Sequence, residues 1–189
     1  MERFLRTTKR QLDAHVTERI AKWRGSMDGS QFLARQGQRL LQSGVALFLF
    51  TSFEGFAVPY FAVPNLGRSV HTLSAFSGVL FVALGLTWPR LHLGMTASRI
   101  AFWFLIYSAL TTIAAFVLAA VLGAGSSIIP LAAGGARGSD FQEAVIRFVV
   151  YPAAPTGIVS FALVLWGLRH PTIPSAAETT DARPEAAHA

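Results

Sequence analysis

Two ionisable residues flank the first break between apolar runs of this chain, Glu54 and His71. Between them lie Pro59, Pro64, Asn65, Gly67 and Arg68, a composition that reads as a short loop. Charged or protonatable groups are costly inside or beside a bilayer, so they are candidates for function where they occur. Glu54 offers a proton acceptor, or the partner of an arginine, with Arg68 and Arg147 the nearest in expectation. His71 heads a stripe with Ser74, Gly78 and Gly85 at helical spacing. Small residues on such a stripe let a flat partner or another helix come close to the backbone. A histidine above two glycines can ligate a haem whose ring lies along the helix. The same pattern also reads as a helix-packing face with an interfacial histidine bonded to a neighbour.

Further along, Tyr107 falls in the middle of an apolar run, where its hydroxyl needs a partner. It could serve as an acid or hydrogen-bond donor, or make a structural bond. Ser108, Thr112, Ala115 and Ala119 form a second small stripe, read as helix packing with hydroxyls bonding back to the helix. Asp140 and Glu143 open the last apolar segment, where acids suit a helix N-terminus. His15, His92, His170 and His188 lie in expected loops and tails.

Several chemistries find no footing. The chain has no cysteine, which removes disulfides, iron–sulfur clusters, thiol nucleophiles and covalent C-x-x-C-H haem attachment. No H-E-x-x-H, paired-histidine metal spacing or nucleophile elbow occurs. The run G-G-A-R-G at 134–138 lacks the preceding strand and following Lys-Ser/Thr of a phosphate loop.

The elements that must position these residues are membrane spans. Of 189 residues, 52% are hydrophobic and 14% charged, and the mean hydropathy is +0.47. A soluble domain is nearer ~25% charged. The apolar residues gather in runs long enough for helices that cross a bilayer, which takes roughly 20 residues. The expected fold is all-α: a four-transmembrane-helix bundle preceded by an N-terminal amphipathic helix. The spans are expected near 40–58, 70–88, 100–122 and 144–168, with Pro152 and Pro155 kinking the last and freeing a carbonyl. Residues 1–36 form a basic segment with Leu5, Leu12, Val16, Ile20 and Trp23 near helical spacing. This reads as a surface helix or a partly ordered basic tail, and as neither a signal nor a transit peptide. The membrane domain is 37–169, and 170–189, rich in Ala, Pro, Thr and acids, reads as a disordered tail.

Basic residues crowd the N-terminal segment, the loop with Arg90 and Arg99, and the tail. By the positive-inside rule both termini are expected in the cytoplasm, with Trp88, Trp103 and Trp166 as an aromatic belt on that side. The basic segment points to anionic lipid headgroups; no folded basic surface with interleaved aromatics speaks for nucleic acid. The opposite side then gathers Glu54, His71, Asp140, Glu143 and Arg147.

Several short motifs, in order and spacing, resemble those of bacterial hydroxylaminobenzene mutases and, more distantly, styrene oxide isomerases. They are V-P-N-L-G-R-S-V-H-T-L-S-A-F-S-G ending at Gly78, G-L-T-W-P-R-L at 85–91, A-F-W at 101–103, P-L-A-A-G-G-A-R-G from Pro130, Gln142-Glu143, and L-V-L-W-G-L-R at 163–169. The resemblance covers about residues 40–169. It implies a four-helix inner-membrane isomerase acting on a small aromatic substrate, in a homo-oligomer similar to a trimer with haem b between subunits. His71 matches the position of the haem ligand, so the resemblance makes it the metal ligand, with Ser74 and Gly78 beside the cofactor. It implies conversion of an arylhydroxylamine to an aminophenol, with ferric iron as Lewis acid. The relatives' asparagine six residues after the histidine is Ser77 here; the tyrosine and aspartate of the epoxide isomerase fall at Phe116 and Ser108. Tyr107, Glu54 and Ser77 are therefore the candidates for substrate chemistry. A non-catalytic haem-binding or structural membrane protein, an aryl-epoxide isomerase and a small transporter are the alternatives.

Overall fold

The structure, a computed structural model, describes the backbone of residues 2–169 and the side chains of residues 29–169. The fold is all-α, without a strand among the described residues. Helix α1 spans Glu2–Ala57, α2 Pro64–Thr87, α3 Met95–Leu122, α4 Pro130–Ala133, α5 Asp140–Val150 and α6 Ala153–Gly167. Among the described residues, four segments are long and apolar enough to cross a membrane: Gly29–Tyr60, Pro64–Arg90, Met95–Leu122 and Asp140–Gly167. The chain is a multi-pass membrane protein.

Local sequence explains the boundaries, and some differ from expectation. No proline or cap interrupts α1 near residue 39, so the first span continues the N-terminal helix without a break. The amphipathic stripe from Leu5 to Trp23 and the tail from His170 lie outside the described side chains and residues. Helix α2 starts about two turns earlier than residue 70, because Pro64 sits at its first turn, where a missing N–H costs nothing. Asn65, Gly67 and Arg68 are thus helical rather than loop. Helix α3 ends at Gly123, whose φ of 65° is the left-handed cap that glycine takes without strain. The fourth span is broken at Tyr151 and Pro152 into α5 and α6. The carbonyl that receives outside help is that of Ala153, which accepts from the Ser108 hydroxyl at 2.7 Å.

Packing is governed by small residues. Helices α1 and α2 run antiparallel with backbones in contact: a Cβ on Gly44 would stand 2.8 Å from the Gly78 carbonyl oxygen, and one on Gly37 2.7 Å from that of Gly85. Where hydrocarbon surrounds the helices, such close approach replaces the hydrophobic drive that soluble helices use. At one end of this seam Trp88 is fully buried, its indole N–H donating to Gln36 at 3.0 Å, and the Ser98 hydroxyl donates to the same oxygen. Trp88 is therefore a core residue and no part of an aromatic belt, whereas Trp103 and Trp166 are exposed. Helices α3 and α6 meet where Gly157 faces Ser108, and the Ser160 hydroxyl donates to the Ala101 carbonyl at 2.8 Å. Thr112 bonds back to the Ser108 carbonyl, and Ala115 and Ala119 are buried, as the second stripe predicts.

Candidate active site

At the other end of the seam, Glu54 in the last turn of α1 meets His71 in the second turn of α2. One carboxylate oxygen, Oε2, lies 3.2 Å from Nδ1 of the imidazole. The Glu54 side chain is 3% exposed and that of His71 47%. The partner of Glu54 is thus His71, not an arginine: Arg68 hydrogen-bonds Asn65 instead. The fold supplies the reason, since the turn between α1 and α2 brings positions 54 and 71 to the same level of the seam. The second oxygen of Glu54, Oε1, is buried and takes no hydrogen bond from the described residues.

One turn deeper, Thr51 donates to the Ser74 hydroxyl at 2.8 Å, and Ser74 bonds back to the Val70 carbonyl at 2.8 Å. The stripe of His71, Ser74, Gly78 and Gly85 therefore faces α1. The close approach that Gly78 permits is that of Gly44 and the Phe48 ring. Ser74 and Gly78 stand in the helix seam rather than on a face open to a macrocycle. Only His71 at the head of the stripe reaches the surface. Gly55 lies against its ring, where a Cβ would stand 3.2 Å from Cε1. Sequence reasoning missed Thr51 and Gly55. The available signal was mirrored spacing: Thr51 lies three residues before Glu54, and Ser74 three after His71.

Of the remaining candidates, Ser77 is buried on α2. Tyr107 is 45% exposed on α3 and has no hydrogen bond among the described residues, so the expected structural bond is not made. Phe116 lines an apolar groove between α2 and α3 together with Arg68, Thr72, Leu73 and Phe76. Glu143 does not face Glu54. It accepts from Gly125 N at 2.8 Å, Ser127 Oγ at 2.6 Å, and Ser127 N and Gly138 N at 3.3 Å each. It thereby ties down the 123–139 connection. Asp140 pairs at the surface with Arg137 at 3.6 Å.

The arrangement at His71 has a definite donor chemistry. With Glu54 ionised and the ring neutral, the carboxylate only accepts, so the ring proton sits on Nδ1 and Nε2 keeps its lone pair. Nε2 makes no hydrogen bond among the described residues. A histidine whose other nitrogen is held by a carboxylate is the usual form of a metal-ligating imidazole. No cluster of three or more His, Cys, Asp or Glu residues occurs among the described residues, so side chains alone do not make a metal cage. One outward imidazole fits a metal that brings its other ligands with it, as a porphyrin iron does.

The segment that carries this site is also the segment with known likenesses. The profile of the styrene oxide isomerase family matches residues 36–169. The hydroxylaminobenzene mutase HabB of Ectopseudomonas oleovorans is 42% identical over 132 residues, 70% of this chain and 80% of that protein. The mutase HabA of the same organism is 33% identical over 129 residues, 68% of this chain and 96% of that protein. No solved structure matches the chain.

Proposed function

Since the chain belongs to the styrene oxide isomerase family and is by class an intramolecular isomerase, we propose that it converts an arylhydroxylamine to an aminophenol in the bacterial inner membrane. The observation that carries this reading is the Glu54–His71 pair within a segment 42% identical to a hydroxylaminobenzene mutase. The reaction is an isomerisation. The N–O bond breaks, the oxygen forms a bond to a ring carbon, and the ring hydrogen displaced there is balanced by one gained at nitrogen. No electrons enter or leave, and no diffusible reductant is consumed.

The residues present fit haem b, with His71 as the ligand through Nε2. When bound, ferric haem supplies a Lewis-acidic iron for the substrate oxygen. The protein's own part is to hold the proton of His71 on Nδ1 through Glu54 and to keep the ring in place against Gly55. The Thr51–Ser74 pair closes the seam beneath it, so this edge of the site is dry and rigid. The Tyr107 hydroxyl, exposed and without a partner among the described residues, is available to donate to a substrate in a homo-oligomer, where the outer surface of one protomer faces the next. Ser77, two turns below His71, is buried and serves the shape of α2. The basic flanks support a cytoplasmic location for both termini.

The test is turnover. Membranes containing the chain should convert phenylhydroxylamine to an aminophenol without added NAD(P)H. Conversion of aryl epoxides alone would favour the second reading, to which the family's name points. Failure with every arylhydroxylamine and aryl epoxide tried would overturn both.

A further inference from the structure

We infer that Glu54 is a positioning residue for the iron ligand: its carboxylate, held in the α1–α2 seam, makes His71 a stronger donor and so biases the iron toward its ferric state. The inference rests on the reading of His71 as a haem ligand.

Three observations carry it. The carboxylate is buried, and His71 is its only hydrogen-bond partner among the described residues. Its second oxygen takes no hydrogen bond there, so the negative charge is not dispersed over other donors. No described arginine pairs with it either: Arg68 bonds Asn65, and Arg137 bonds Asp140. A carboxylate with all of its hydrogen bonding directed at one N–H polarises that bond strongly, the more so where water is excluded. Charge shifted into the ring raises the basicity of Nε2, and a more basic ligand stabilises the higher oxidation state of a metal.

The direction matters for an isomerase. A reaction without net electron transfer is served only by iron that stays in its Lewis-acidic form, and reduction by cellular donors would withdraw it. Glu54 engages Nδ1, and the nitrogen free to bind a metal is on the other side of the ring. Its carboxylate therefore acts through His71 and not on the substrate.

The experiment compares haem-loaded wild type, Glu54→Gln and Glu54→Asp by potentiometric titration and by the iron–histidine stretch in resonance Raman spectra. Glutamine keeps the size and an acceptor oxygen but loses the charge. Glu54→Gln should retain a Soret band, raise the midpoint by at least about 59 mV, a tenfold change in the one-electron equilibrium, and lower the stretching frequency. Glu54→Asp, with its charge kept but its reach shortened, should shift in the same direction by less. An unchanged midpoint and stretch in either haem-loaded variant would overturn the inference while leaving the ligand assignment intact. A wild-type protein that takes up no haem would overturn the ligand assignment itself, and this inference with it.

Discussion

The backbones of Gly44 and Gly78 touch: a Cβ on Gly44 would stand 2.8 Å from the Gly78 carbonyl oxygen and 2.8 Å from a methyl of Val82. The obstructing oxygen belongs to a helix backbone, which cannot step aside as a side chain could. Gly44→Leu should therefore push α1 away from α2, costing about 1–3 kcal/mol or more by overpacking. The same displacement would separate Glu54 from His71, about two to three turns away. Thermal unfolding in detergent checks the first effect. A Gly44→Leu protein as stable as wild type would show that the helices do not pack along this seam.

At the far end of the seam, Gln36 accepts from both Trp88 and Ser98. Gln36→Leu keeps much of the volume but leaves an indole N–H and a hydroxyl without an acceptor in the core. Each orphaned group costs about 1–3 kcal/mol. The melting temperature should fall, and the fluorescence of Trp88 should change. Because the site lies at the opposite end, any haem bound by the folded fraction should keep its spectrum.

Glu143 gathers three backbone amides and a hydroxyl from the 123–139 connection. Glu143→Ala should release that connection while leaving the four spans assembled. Limited proteolysis from the side of the loop should then cut within 123–139 faster than in wild type. Equal cutting rates would mean the carboxylate does not hold the loop.

Reporters fused at either end should report the cytoplasm, because basic residues concentrate in the segments flanking the termini and the positive-inside rule favours that side for them. Reporters on opposite sides would contradict the even number of crossings, and both in the periplasm would contradict the orientation.

The spans were legible because each is a long apolar run, and the end of α3 because Gly123 follows it. The start of α2 was not, since Pro64-Asn65-Leu66-Gly67 has the composition of a turn, and only the proline's place in the first helical turn makes it a helix. The stripe under His71 was visible, but its use was not. Small residues at helical spacing serve a cofactor or a neighbouring helix equally well, and only the facing glycines of α1 decide for the helix. Glu54 stands out in the sequence as ionisable, yet charge alone does not identify its partner. Arg68, a natural partner in sequence, bonds Asn65, and a histidine across the turn is the group within reach of Glu54. Trp88 misled for a similar reason: aromatic residues at span ends favour the interface, but Gln36 and Ser98 give this indole a hydrogen-bonded place in the core.

The measurement that tests the central claim most directly is the absorption spectrum of the purified protein after expression with ample haem. The account predicts a Soret band in the wild type that His71→Ala abolishes while the protein remains folded. A folded wild-type protein without that band, or a His71→Ala protein that keeps it, would contradict the assignment of His71 as the iron ligand.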